Sequence, residues 1–221
     1  MKRLFFLLLP CLFLFSSCMD IIDDLTVNRD GSGVLKLNIN LSKSKMRINS
    51  ILALDSLNGK RVPTISEISD KIDYYADKLR EKQGIRNVEV SRDFENYIFK
   101  FEIGFNKVEN LEKDIKEIVS EENSSWVNFD FDWVKWDNGV LQRNNIRIPE
   151  DQFNRLKYED QEKLKDGVYT SITRFQDPIV EYSNPLSKLT PNRLNLMIRT
   201  STNNLAKDTQ QLQNTIKVEE K

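Results

Sequence analysis

The most enzyme-like pair in the sequence is Asp130 and Asp132, which share one face of an alternating run from Trp126 to Trp136. Same-face residues two apart in a strand sit about 7 Å from each other. That is close to the span of the paired carboxylates that hydrolyse glycosides. Trp126 and Trp136 flank the pair and could stack on sugar rings. The plainer reading is a solvated outer face of Asn128, Asp130 and Asp132 behind an aromatic core face of Val127, Phe129, Phe131 and Trp133. The chain has no histidine, and its only cysteines are Cys11 and Cys18. Nucleophilic catalysis with a histidine base is therefore excluded, as are histidine-containing zinc sites. Carboxylate, lysine, tyrosine and serine chemistry remains. No catalytic residue, metal ligand or cofactor motif is assigned, and the chain reads as a non-enzyme.

Cys18 has a different use. Lys2 and Arg3 open the chain, residues 4–15 form an apolar run interrupted only by Pro10, and Ser16 and Ser17 precede Cys18. A basic start, a short apolar stretch and small residues at the end make a secretory signal. The run is too short to span a bilayer, which takes about 20 residues. Phe15-Ser16-Ser17-Cys18 resembles the lipobox of bacterial lipoproteins, with Phe15 where that family usually has Leu. The resemblance implies cleavage between Ser17 and Cys18, acylation (palmitate among the acyl groups) of the Cys18 thiol, and a lipid-anchored place in the cell envelope. The outer membrane is expected ahead of the inner one, because Asp20, Asp23 and Asp24 follow the cysteine much as acids do in surface-exported lipoproteins. Two or more acyl chains anchor a protein stably, where one binds marginally.

With residues 1–17 removed, 204 residues remain, carrying 31 basic and 34 acidic side chains spread along the chain. That length suits one sizeable domain or two small ones. No concentrated basic face marks a nucleic-acid partner. The mature fold has no disulfide, so its stability must come from packing.

The elements follow from periodicity. Residues 21–28 and 34–42 read as strands around an Asn28-Arg29-Asp30-Gly31-Ser32-Gly33 turn, with Leu35, Leu37, Ile39 and Leu41 on one face. As a calcium loop the turn fails, because Thr26 and Leu37 would fall at ligand positions that need carboxylates. Residues 43–62 read as irregular. Thr64 and Glu67 form a capping box for a helix that buries Ile65, Ile68, Ile72, Tyr75, Ala76 and Leu79 and stops at Gly84. Strands at 88–92 and 97–105 follow, the second with Tyr97, Phe99, Phe101, Ile103 and Phe105 on one face. A second helix buries Val108, Leu111, Ile115, Ile118 and Val119. This β-β-α-β-β-α start predicts an α+β fold, an antiparallel sheet of β-hairpins with helices packed on one face. A hairpin over residues 126–146 turning at Asp137-Asn138-Gly139, a charged surface helix over 149–165, and strands at 168–175 and 193–200 complete it. Domain boundaries are read as 1–17 signal, 18–200 domain with a subdivision near 122, and 201–221 a weakly helical or loosely held tail.

Several segments are similar to the LppM-like bacterial lipoproteins. They are the lipobox, the run from Asp24 through Gly33 into an alternating strand, Gly84-Ile85 to Glu89 after the first helix, and Thr173-Arg174-Phe175-Gln176-Asp177-Pro178-Ile179-Val180 followed by Ser183-Asn184. The sequence departs from the family in lacking a C-terminal membrane helix, and in having Gln176-Asp177-Pro178 where relatives place a glycine after Phe-Pro. The resemblance implies an envelope-anchored α/β domain, with the lipid or glycolipid binding proposed for some relatives. A ligand cavity walled by Phe99, Phe101, Ile72 and Leu111 is the form this would take.

The expected function is thus a membrane-anchored, non-catalytic binding or structural module whose partner is a lipid, a glycan or an envelope protein. A lipid or apolar-ligand carrier, and a carbohydrate-active enzyme using Asp130 and Asp132, are the alternatives. Substituting Cys18→Ala should abolish labelling by a palmitate analogue and move the protein from the membrane to the soluble fraction. Membrane-bound, lipid-labelled Cys18→Ala protein would show the anchor assignment to be wrong.

Overall fold

A computed structural model describes residues 19–57, 59–121, 133–144, 166–207 and 211–219. The chain opens with β1 (Asp20–Val27) and β2 (Gly33–Asn40), paired antiparallel with Leu25 opposite Leu35. After a short helical turn come α1 (Lys45–Leu52) and a small ribbon, β3 (Ser56–Leu57) with β4 (Lys60–Arg61). Part of the stretch read as irregular is therefore helical. α1 is held from above by the Tyr97 hydroxyl, which donates to the Asn49 side chain.

α2 (Ile65–Arg80) begins at the expected capping box. Glu67 N donates to Thr64 Oγ1 at 3.2 Å, and Thr64 N donates back to Glu67 Oε2 at 2.8 Å. The Arg61 guanidinium beside it, with the Thr64 amide, holds the Glu67 carboxyl at about 2. Ile65, expected on the buried face, is exposed at this first turn. The helix ends four residues before Gly84, at a cap residue, Glu81, with right-handed backbone. Gly84 is needed for a different reason. A Cβ there would stand 2.5 Å from Asn110 Cβ, so the glycine lets the chain pass against α3 (Val108–Glu121).

Between these helices run β5 (Ile85–Asp93) and β6 (Ile98–Phe105). Tyr97 belongs to their turn, with φ 55°, and not to the strand. β7 (Val134–Asp137) and β8 (Val140–Arg143) form a tight hairpin. Its Asn138 and Gly139 have φ 43° and 79°, the pair of left-handed residues that a type I′ turn demands. The remaining elements are β9 (Val168–Phe175), β10 (Ile179–Tyr182), β11 (Lys188–Leu189), β12 (Asn195–Ser201), α4 (Thr202–Lys207) and β13 (Asn214–Val218).

The strands assemble into a seven-stranded sheet, ordered β11-β12-β9-β1-β2-β6-β5, and a four-stranded sheet, ordered β10-β13-β8-β7. The fold is α+β and mostly antiparallel, as expected. The exception is central: β1 and β9 pair in parallel, with Asp23 opposite Ser171. One face of the large sheet buries Leu25, Val27, Leu35, Ile103 and Phe105 against Ala76 of α2, Val108 and Leu111 of α3, and Leu141, Ile216 and Val218 of the small sheet. This single cluster draws residues from both sides of position 122. The segment read as a tail is corrected by its packing. β13 lies inside the small sheet between β10 and β8, and Leu205, Leu212, Ile216 and Val218 are buried. Their wide spacing hid a short helix followed by a short strand. The helix expected over 149–165, with Phe153, Leu156 and Leu164, lies outside the described residues. Among the described residues no helix is long and apolar enough to cross a membrane.

Gly33 sits where β1, β2 and β6 meet. A Cβ there would come within 1.9 Å of the Thr26 carbonyl oxygen and 2.7 Å of the Phe105 ring. Neither the central strand nor the buried ring has room to move. Gly33→Ala should destabilise the protein by about 2 kcal/mol or more through overpacking, read as a lowered urea midpoint. Gly104→Ala, whose Cβ would meet only ordinary contacts from 3.6 Å outward, is the control.

Candidate functional site

The inward face of the parallel pair is partly polar. Strict alternation along β1 turns Asp23, Leu25 and Val27 inward, and along β9 it turns Tyr169, Ser171, Thr173 and Phe175 the same way. Asp23 is 3% exposed and needs a counter-charge. The last residue of β8 supplies it. Arg143 is 2% exposed and crosses from the small sheet to donate from Nη2 to Asp23 Oδ2. Its Nη1 donates to Ser171 Oγ at 2.7 Å and to Thr173 Oγ1 at 3.3 Å. The Tyr169 hydroxyl donates to the same Asp23 oxygen.

Burial opposes the Arg143 charge, but the charge of Asp23 and the hydrogen bond to it outweigh that, and the guanidinium pKa stands above its ordinary value. Burial, with the Asp23 charge behind it, pushes the Tyr169 phenol well above its usual range. It therefore stays protonated and donates. Arg143 also lies over the Trp133 ring, with Cζ 5.6 Å from the centroid.

Beside this cluster is a cavity of about 150 Å³, lined by Leu35, Leu37, Ile115, Trp133 and Tyr169, with Asp23 among its walls. Its mouth is marked by Glu112 and Lys116 of α3, ion-paired at 2.7 Å one helical turn apart. Both also line an adjoining polar groove of about 480 Å³ between α3 and the β7–β8 hairpin, together with Lys113, Lys135 and Gln142. Two carboxylates of α3 pin that hairpin in place: Val134 N donates to Glu112 at 2.9 Å and Trp136 N to Glu109 at 2.8 Å. The arrangement offers an apolar chamber, a charged rim and a polar approach, a form suited to binding.

The cavity is not the one expected from the sequence. Leu111 lies in the filled core, and Phe101, the register partner of Leu37 on the same face of the sheet, is not among the residues that line the chamber. The chamber is walled instead by residues of β2, α3, β9 and the approach to β7. Alternation and helical spacing identify each of these as inward-facing, but they do not say which inward residues leave space.

Of the residues singled out in the sequence, Ser17, Cys18, Trp126, Asp130 and Asp132 lie outside the described residues. Trp136 is described. Its ring stacks on Phe175 with centroids 5.8 Å apart, and its indole N–H donates to the Arg29 carbonyl at 3.2 Å. Trp136 thereby fastens the β1–β2 turn. In that turn Asn28 N donates to Ser32 O at 2.7 Å and Ser32 N to Asp30 Oδ1 at 3.0 Å. Hydrogen bonds from Ser32 hold the Asp30 carboxyl below the usual range. The carboxylate closes the turn. Arg29 forms a two-pronged pair with Asp177, which joins the β1–β2 turn to the connection between β9 and β10.

No known protein family matches the sequence, and no curated protein does. Among solved structures, the NMR structure of the folded domain of Mycobacterium tuberculosis LppM is similar, with a TM-score of 0.45 and 7% identity over 91% of each chain.

The buried pair yields a double-mutant cycle. Asp23→Leu and Arg143→Met should each cost about 3–5 kcal/mol, because each strands a buried charge. The double variant should cost less than either alone, by denaturant titration. Additive losses would mean that the two charges do not depend on each other.

Proposed function

We propose that the protein is a lipid-anchored envelope lipoprotein that works as a non-catalytic binding module, with the chamber between the large sheet and α3 as its binding site. The observation that carries the reading is that chamber, a space of about 150 Å³ walled by Leu35, Leu37, Ile115, Trp133 and Tyr169 in a domain whose neighbouring core is filled. Such a volume takes one benzene-sized group, or the end of a longer apolar chain whose remainder lies in the adjoining groove. The lipobox at Cys18 supports the envelope location, since it supplies the membrane attachment that the described helices do not. The absence of histidine from the sequence, with Cys18 given to the anchor, supports binding over nucleophilic chemistry.

The core clusters of the described residues lie between residues 21 and 218, within the mature chain. Titrating it with toluene should shift the methyl NMR signals of Leu35, Leu37 and Ile115 ahead of those of Ile216 and Val218. Leu37→Trp, which fills the chamber from its half-buried side, should remove the response while leaving the spectrum folded. Methyl signals unmoved by toluene up to its solubility would sink the reading.

A further inference from the structure

A helix face turned to water is normally its charged one. α1 departs from that pattern. None of its residues is buried. The exposed positions from Met46 to Leu54 are Met46, Asn49, Ser50, Ala53 and Leu54, and none of them is charged. Their polar groups are partly used up, since the Ser50 hydroxyl donates to the Met46 carbonyl at 2.9 Å and the Asn49 side chain accepts from Tyr97. Met46 is 67% exposed and Leu54 46%. The β3–β4 ribbon that follows belongs to neither of the main sheets and adds Leu57, 42% exposed.

This surface lies at the tethered end of the large sheet. Asp20, the first residue of β1, is opposite Asn40, the last of β2, and α1 begins at Lys45, shortly after. Lys43 is ion-paired with Asp20 at 3.5 Å, and Leu41 N donates to the Tyr97 carbonyl at 2.9 Å. Cys18 is two residues before Asp20. Chain length alone keeps it within about 7 Å of the start of β1. Charge points the same way. Residues 41–61 carry five basic side chains, Lys43, Lys45, Arg47, Lys60 and Arg61, and one acid, Asp55. Lys43 and Arg61 pair with Asp20 and Glu67, and Lys45 lies near Asp93. Exposed pairs of this kind are worth little, so lipid phosphates can share these cations.

We infer that α1 and the β3–β4 ribbon form a second membrane contact, which seats Met46, Leu54 and Leu57 in the interface of an anionic bilayer and sets the basic side chains at its phosphates. The inference rests on the lipid anchor proposed at Cys18 and adds the face that the anchored domain turns to the membrane. An apolar surface with basic residues around it is the form that lies in a bilayer interface. Three aliphatic side chains would hold a free domain only weakly. Behind an anchor they suffice, because the tether makes their encounter with the bilayer intramolecular. A second copy of the chain or a partner protein could cover the same side chains, but neither accounts for their place beside the anchor.

The test uses the mature protein carrying its lipid, reconstituted in vesicles of phosphatidylcholine with one quarter phosphatidylglycerol. Acylation leaves Cys18 without a free thiol, so Leu57→Cys can be labelled alone with an environment-sensitive fluorophore. Val180→Cys is the control. Val180 is as exposed, at 46%, but lies three residues from Asp177, which is tied to the turn at the far end of β1. The Leu57→Cys label should shift its emission to the blue and lose intensity to nitroxide-bearing lipid. The Val180→Cys label should do neither. Met46→Ser with Leu54→Ser, two exposed changes that spare the core, should abolish the Leu57→Cys response while the protein stays with the vesicles. Equal emission and equal quenching at the two positions overturns the inference, since the domain then swings freely on its tether. A blue shift of the Leu57→Cys label that grows with protein concentration and ignores nitroxide lipid also overturns it, and makes this face a contact between copies. If the purified mature protein bears no acyl group, the anchor itself fails, and the inference falls with it.

Discussion

The ion pair between Asp23 and Arg143 is the constraint on which the arrangement of the two sheets depends. A buried charge is tolerated only with a well-placed partner. Asp23 is on β1, in the middle of the large sheet, and Arg143 ends β8 of the small one. The small sheet must therefore approach at the position and angle that bring a guanidinium to one carboxylate. Hydrophobic contact between the sheets would accept many slides and rotations. The polar contacts of Arg143 with Asp23, Ser171 and Thr173 accept few. Net stability need not be what the pair contributes, since buried pairs often do no better than apolar replacements. Its clearest effect here is on geometry.

A second fastening lies at the other end of the same strands. The turn after β1 is closed by Asp30, crossed by the Trp136 indole and tied to the β9–β10 connection through Arg29 and Asp177. Val108 N donates to the Gly31 carbonyl at 3.0 Å, so the first turn of α3 is attached as well. The large sheet, the small sheet and α3 all meet at this turn. Its glycines are required by proximity as much as by conformation, since a Cβ on Gly31 would stand 2.9 Å from the Trp136 ring. The parallel pairing of β1 with β9 lets both fastenings work. It places Asp23 opposite Ser171 and Val27 opposite Phe175 in one continuous register.

These restraints also explain why an apolar chamber persists next to a filled core. Leu111 of α3 is fully buried in that core, while Ile115, one turn further along, reaches the chamber wall. The Asp23–Arg143–Tyr169 cluster holds the chamber's polar side at a set distance from the helix. Glu109 and Glu112 hold the hairpin backbone on the other. A space bounded by fixed hydrogen bonds does not close by the small shifts with which apolar cores usually fill their voids.

The sequence by itself determined the elements whose signals are local. The β1–β2 hairpin, the Thr64–Glu67 cap, the alternation along β6 and β9 and the Asn138-Gly139 turn all lie within a few residues of the groups that specify them. It also determined that no histidine takes part in the fold, since composition is independent of folding. Only the tertiary structure decided that Asp23 is buried while Asp24, its neighbour, faces outward to Arg174 with bonds of 2.7 and 2.8 Å. Both are acids in one strand, and their fates differ because a two-residue period assigns them to opposite faces and Arg143 waits on one of them. The parallel β1–β9 pairing, the place of β13 inside the small sheet and the chamber beside Trp133 are likewise products of contacts between residues distant in sequence. Periodicity tells which side chains turn inward. What they meet there, and whether they leave room, is fixed when separate elements pack.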